Sequence, residues 1–216
     1  LGLLERSHNL AVGESGLFHG TSSEQGYEKI PLLGSANLWG DYRSKNLGHQ
    51  RAGRRLTDLF LDVLSWNVVD FSQTMLGDVV MTDHALEVLQ GNGLTGFTVK
   101  PTRVSSFPAG VKGSEIPKLW EFIPTGTAGA AHKDSGIVEL YKCDGCGLVQ
   151  YSSFKNGIVV DQKTYDGSDF FTVIEYPKYI LVSQRAKLVM EKNRLSNAGF
   201  IQSTKLQWPK GVAEPI

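Results

Sequence analysis

Cysteine is nearly absent: Cys143 and Cys146 are the only two in 216 residues. That is too few for a disulfide scaffold, and a chain this long buries enough apolar surface not to need one. An excess of charge of either sign is also missing, since 22 Lys and Arg balance 22 Asp and Glu. Whole-chain electrostatic attraction to nucleic acid or to an anionic membrane is therefore excluded as a main driving force. No apolar run approaches the roughly 20 residues that a bilayer-spanning helix needs. Three catalytic signatures are lacking as well: a nucleophile elbow, a Gly-rich phosphate loop and an H-E-x-x-H helix. The chain starts at Leu1, which suggests a processed or trimmed start, and no charged-then-apolar secretory signal follows. The expected compartment is cytoplasmic.

What is present is an ordinary globular composition, 41% hydrophobic and 20% charged. Residues 1–55 are rich in Gly, Ser and Asn and keep no period of 2 or 3.6. They predict a loop-rich N-terminal arm, with at most a short strand, packed on a single body over 56–216. Arg43, Lys45, Arg51, Arg54 and Arg55 form a basic patch. It is read first as a solvated face and second as a docking surface for an acidic partner. In RRLTDLFLDVLSW, Leu56, Leu59, Phe60, Val63 and Leu64 lie at helical spacing and predict an amphipathic helix ending before Asn67.

The most informative feature is an internal repeat relating residues 68–102 to 167–204. Asp70-Phe71 matches Asp169-Phe170, and Val79-Val80-Met81-Thr82 matches Ile180-Leu181-Val182-Ser183. Thr82 and Ser183 are N-cap residue types, whose hydroxyls accept orphan backbone N–H groups. Ala85, Val88 and Leu89 in one copy, and Ala186, Val189 and Met190 in the other, follow helical spacing. Gly91 and Gly93 should end the first helix, with Asn193 taking the left-handed conformation in the second. Leu94-Thr95 matches Leu195-Ser196, and Gly96-Phe97 matches Gly199-Phe200 after a two-residue insertion. Phe97-Thr98-Val99 and Phe200-Ile201 read as outgoing strands.

Between the copies, KLWEFIPTG and GIVELYKC alternate apolar and polar residues as half-buried strands do. Asn156-Gly157 within VQYSSFKNGIVVD is a hairpin signal, because both residues tolerate positive φ. TYDGSDFF reads as a further turn and QWPKGVAEPI as a tail. The predicted architecture is α+β: a single domain with a central antiparallel sheet and two pseudo-equivalent strand-helix-strand units.

The segment YKCDGCG places Cys143 and Cys146 at C-x-x-C spacing, with Gly145 and Gly147 permitting the tight turn of a zinc knuckle. A knuckle gives two ligands, whereas structural zinc takes four. His8, His19, His49, His84 and His132 are the candidates to complete it. His132, eleven residues upstream, could reach the knuckle across a hairpin. The alternatives are a solvated histidine, a turn kept for its shape alone, and a redox dithiol. The last is disfavoured by strand-like flanks where a helix N-terminus would be needed. Two cysteines and one histidine also match the ligand count of a zinc deaminase. The H-x-E and the proline of that signature are absent, since Lys133 and Asp134 follow His132 and Lys142 precedes Cys143.

The order C-x-x-C-G, YDGSDFF, a Tyr-Pro pair and ILVSQRAKLVMEKNRLSNAGF resembles the C-terminal half of the double-CXXCG motif proteins. DVVMTDHALEVLQGNGLTGFTVKPT resembles their middle segment, and the likeness spans residues 60–206. Those proteins are bacterial paralogues associated with contact-dependent toxin systems, in which members act as immunity proteins. The resemblance implies an immunity-type protein that blocks a cognate protein toxin by stoichiometric contact, without catalysis. It also implies one four-cysteine zinc site built from two CXXCG pairs. This chain has no cysteine before Cys143, so such a site would need histidine, or has been lost. The competing expectation is a small zinc-binding module or metal-dependent enzyme using Cys143 and Cys146. Asp166 and Asp169 are possible charged contact residues, with turn-forming roles the plainer reading.

Overall fold

The computed structural model describes residues 10–12, 58–63, 69–74, 78–107, 109–115, 117–144 and 147–208. In chain order its elements are β1 (Leu10–Val12), β2 (Leu59–Asp62), β3 (Phe71–Gln73), β4 (Val79–Thr82), α1 (Asp83–Gly91) and β5 (Phe97–Ser106). There follow β6 (Leu119–Pro124), β7 (Gly126–Thr127), β8 (Glu139–Lys142), β9 (Val149–Tyr151), β10 (Phe170–Thr172), β11 (Leu181–Val182), α2 (Gln184–Lys192) and β12 (Phe200–Gln202). The fold is α+β. One sheet has the order β2-β5-β6-β4-β3, a second β12-β1-β11-β10-β7, and β8 pairs with β9 alone. The single central sheet expected from the sequence is thus two five-stranded sheets and a ribbon.

The repeat organises both sheets. In the first copy, β3 and β4 form an antiparallel pair and α1 leads from β4 to β5, with β6 lying antiparallel between β4 and β5. In the second, β10 and β11 pair in the same way, α2 leads from β11 to β12, and β1 takes the place of β6. Each copy is a split β-α-β unit. Trp120 of β6 faces both Met81 and Pro101, and Leu10 of β1 faces both Val182 and Gln202. The copies therefore stay in step from Met81/Val182 to Pro101/Gln202, and the insertion expected before Gly199 is not there. Gly96 corresponds to Asn197, both with positive φ (83° and 57°). The extra two residues lie in the β10–β11 connection, since Phe71 faces Met81 whereas Phe170 faces Val182.

The helix ends follow from capping chemistry. Thr82 Oγ1 accepts the N–H of Ala85 (3.2 Å), and Ser183 Oγ accepts that of Ala186 (3.0 Å). At the other end, Leu94 N–H donates to Leu89 O and Gly93 N–H to Gln90 O. Leu195 and Arg194 repeat these bonds to Met190 and Glu191, giving a Schellman motif in each copy. The left-handed residues are Gly93 (φ 61°) and Arg194 (φ 54°). Asn193, expected in that role, has φ −89°. The motif puts its left-handed residue one place beyond the cap, and the Asn193 amide instead donates to Val189 O, as Asn92 does to Val88 O (both 2.8 Å).

The two copies share one core. Phe71, Met81, Ala85, Leu89 and Leu94 meet their counterparts Phe170, Val182, Ala186, Met190 and Leu195 in a single buried cluster. Phe122 sits at its centre, stacked on Phe97 with centroids 5.2 Å apart and edge-on to Phe170 at 5.1 Å. Burying each such side chain contributes about 1.5–3 kcal/mol. Glycine is required where the copies meet: a Cβ on Gly96 would lie 2.1 Å, and one on Gly126 2.4 Å, from the Phe170 carbonyl oxygen.

Three expectations fail by tertiary override. The helix predicted from Leu59, Phe60 and Val63 is the strand β2, with Leu56 and Leu64 outside the described residues. Leu59, Leu61 and Val63 are buried at period 2 against Val80 and Leu119, and β2 pairs in parallel with β5. Asp-Leu-Phe-Leu-Asp-Val suits either period, and the open edge of β5 selects the strand. No hairpin forms at Asn156-Gly157. Gly157 has φ 67°, but Ile158 N–H then bonds Ser203 O (2.9 Å), and Val160 bridges to Ala131. Burial of Phe154 and Ile158 in a second cluster with Phe171 and Leu181 draws the chain away from β9. Finally, Glu139–Lys142 forms a strand as predicted, but all four residues are exposed rather than half-buried.

Candidate functional site

The cysteine segment is the turn of the β8–β9 ribbon. Glu139 faces Tyr151, Tyr141 faces Gln150 and Lys142 faces Val149, with a bulge between Glu139 and Tyr141. Cys143 N–H donates to Leu148 O and Gly147 N–H to Cys143 O, both at 2.8 Å, while Gly147 takes φ 69°. These two bonds wrap the chain tightly, and Cys143 is fully buried although the strand leading to it is exposed.

The base of the ribbon is tied to the body. Val138 N–H bonds Ser152 Oγ (3.0 Å) and Ser152 N–H bonds Val138 O (2.9 Å), while the Tyr176 hydroxyl donates to Ser152 O. From this anchor to the turn the segment exposes several apolar side chains. Val138 (56% exposed), Leu140 (44%), Tyr141 (39%) and Leu148 (36%) are half of the eight large hydrophobic residues exposed among the described residues. Glu139, Lys142 and Asp144 lie exposed beside them. Burial, with the carboxylates of Glu175 and Glu139 nearby, pushes the Tyr151 hydroxyl above its ordinary value.

The predicted metal ligands are placed as follows. Cys143 is buried in the ribbon turn, and Cys146 lies outside the described residues. His132 precedes a 3-10 turn over Lys133–Ser135, where its Nδ1 accepts the Asp134 N–H (3.3 Å). Among the described residues, no three His, Cys, Asp or Glu side chains gather as a metal site. A zinc ion at this turn would need Cys146 and further donors beside Cys143. His8, His19, His49 and the basic patch of Arg43, Lys45, Arg51, Arg54 and Arg55 lie outside the described residues.

His84 is not a bystander. Its Nδ1 lies 2.9 Å from Asp70 Oδ1, and the same carboxylate accepts the Thr82 hydroxyl (2.8 Å) and both the N–H and hydroxyl of Ser196 (2.8 Å each). Burial raises the Asp70 carboxyl, but these donors outweigh it and hold the group below the usual carboxylate range. Asp169 repeats the arrangement with Ser183 (2.7 Å), Thr95 and Arg185 (2.6 Å). The repeated Asp-Phe and Thr/Ser positions were the sequence signal for these clasps, but nothing in it showed that each aspartate reaches into the other copy. Asp166 accepts the N–H groups of Thr127 (2.7 Å) and Ser168 (2.9 Å). Burial raises its carboxyl while those bonds bring it below the ordinary value. Asp166 and Asp169 therefore take the turn-forming roles that are their plainer reading.

A cavity of about 160 Å³ opens beside Asp78, Glu121, Phe122, Pro177, Lys178 and Ile180, below the roughly 300 Å³ at which small-molecule pockets begin. Among the described residues no helix is long and apolar enough to cross a membrane. No protein-family model matches the chain, and no curated protein matches it.

Proposed function

We propose that the protein is an immunity-type binding protein that neutralises a cognate bacterial toxin by direct, stoichiometric contact. The observation that carries this reading is the β8–β9 ribbon, which belongs to neither large sheet and, with the residues flanking its strands, exposes Val138, Leu140, Tyr141 and Leu148. Exposed apolar and aromatic side chains interspersed with the charged Glu139, Lys142 and Asp144 have the composition of a protein-contact segment. The resemblance of the CXXCG-to-GF block to immunity proteins supports the same reading. The test is co-purification and calorimetric titration with any toxin-like protein encoded beside it. A one-to-one complex that disappears in Leu140→Glu/Leu148→Glu, with the melting temperature unchanged, is the expected result. A complex of undiminished affinity in that variant would remove the ribbon from the interface, and no complex with the native chain would end the reading.

A zinc-binding module using the Cys143/Cys146 knuckle is the second reading. It is favoured by the bonds of Cys143 and Gly147 that close the turn. Toxin neutralisation assayed after chelation separates the two, because a contact protein still neutralises as long as its fold survives, whereas a zinc-dependent function is lost.

A further inference from the structure

The second split unit is completed by a strand from the far end of the chain. β11 and β12 are not neighbours in their sheet; β1 lies between them and pairs antiparallel with both. In the first copy the same gap is filled by β6, six residues long and next in sequence after β5. β1 has three residues, and residues 13–58 separate it from β2. One wall of the gap is Leu181 and Val182, both fully buried and each part of a different core cluster. Without a strand there, the facing backbone groups of β11 and β12 lose their partners, and the sheet has an internal pair of edges.

We propose that the gap between β11 and β12 is a strand-acceptor site that takes Leu10–Val12 of a second copy of this chain as well as its own, so that two chains can exchange this strand. The occupant is fixed by what the gap fits. Every copy carries Leu10-Ala11-Val12, and the backbone pairs to Leu181–Val182 and Phe200–Gln202 are the same whichever copy supplies it. Residues 13–58 can span up to about 3.3 Å per residue, on the order of 150 Å, ample to reach a neighbour. Exchange of an identical element closes with two-fold symmetry and needs no new interface. At low concentration the chain's own strand keeps the gap filled, because its pairing is intramolecular while that of a second copy is not. A three-residue ladder gives way more readily than the six residues of β6, so exchange belongs to the second sheet alone. This surface is separate from the β8–β9 ribbon and stands or falls independently of toxin binding.

The test is complementation in trans. A chain lacking residues 1–12 is mixed with a synthetic peptide of residues 8–14, and binding and melting temperature are followed. One-to-one binding with recovery of the native melting temperature is expected. In parallel, the full chain is refolded at high concentration as a mixture of isotopically labelled and unlabelled protein. Native mass spectrometry should show mixed dimers, absent from Ala11→Pro, because proline does not fit a strand flanked on both sides. A truncated chain that folds and ignores the peptide overturns the proposal, as do dimers that persist in Ala11→Pro. Should the truncated chain not fold alone, peptide present during refolding must rescue it, and failure to do so is equally decisive against.

Discussion

Asp70 and Ser196 bind each other three times: the serine N–H and hydroxyl both donate to Asp70 Oδ2, and the Asp70 N–H donates to Ser196 Oγ, all at 2.8 Å. Asp169 and Thr95 repeat the relationship with the copies exchanged: the Thr95 N–H and hydroxyl donate to Asp169 Oδ2 at 3.0 and 3.3 Å, and the Asp169 N–H donates back at 3.3 Å. Each aspartate also accepts the hydroxyl of its own helix N-cap, Thr82 or Ser183. One carboxylate thus fixes a helix start in its own copy and the loop after the helix in the other, which locks α1 and α2 into one unit.

Replacing either aspartate with alanine should therefore cost about 2–4 kcal/mol, since several charge-assisted bonds are lost and their donors are left half-buried. Ser196→Ala should cost about 1–2 kcal/mol. Chemical denaturation of the three variants measures this, and a loss below half a kcal/mol for Asp169→Ala would remove the clasp as a stabilising feature.

Acid should loosen the Asp70 clasp. The folded carboxyl lies below its unfolded value, so its contribution is present above the unfolded pKa of about 3.9 and is lost as pH falls through the folded value. The melting temperature should hold from pH 7 to 5 and fall below about pH 4. Asp70→Asn, already weakened at neutral pH, should show a shallower fall over the same range.

At alkaline pH the phenols answer in the opposite sense. Burial, then the carboxylates of Asp169 and Asp166, raises Tyr165 to about 12, while burial, Tyr179 and Glu175 raise Tyr176 to about 12. Their contribution is complete below the unfolded value of about 10 and is lost as pH rises towards the folded one. Tyrosinate absorbance should show at least two of the seven tyrosines titrating late, followed by unfolding.

Glycine substitutions should separate by place. Gly96→Ala meets the Phe170 carbonyl at 2.1 Å in a backbone with φ 83°, and should cost about 3 kcal/mol or more. Gly91, the last residue of α1, has open space around a Cβ. Gly91→Ala should stabilise by about 0.5–1 kcal/mol. Melting temperatures moving in the same direction would refute this account of the junction.

Cys143→Ser places a hydroxyl where a fully buried thiol stands, and should cost about 1–3 kcal/mol. If zinc occupies the knuckle, chelator lowers the melting temperature of the native chain and leaves that of the serine variant where it was. Equal responses mean the turn holds its shape without metal.

The sequence by itself determined the two helices, their N-caps, the strands on either side and the correspondence of the copies as far as Thr95 and Ser196. Those features rest on local rules: hydroxyls that accept N–H groups three residues on, apolar spacing at 3.6, and glycine beyond a helix end. It also marked the tight turn at Cys143 and Gly147, because C-x-x-C-G spacing and a left-handed glycine are local chemistry. Tertiary structure decided the rest. Leu59, Leu61 and Val63 form a strand because β5 offers an open edge, and Asn156-Gly157 turns without a hairpin because Ile158 is drawn to Ser203 and the core. Nor could spacing show that Asp70 binds Ser196, 126 positions away, or that Leu10–Val12 completes the sheet of the second copy. Such contacts depend on which surfaces remain unpaired after local structure has formed, and that is a property of the assembled fold.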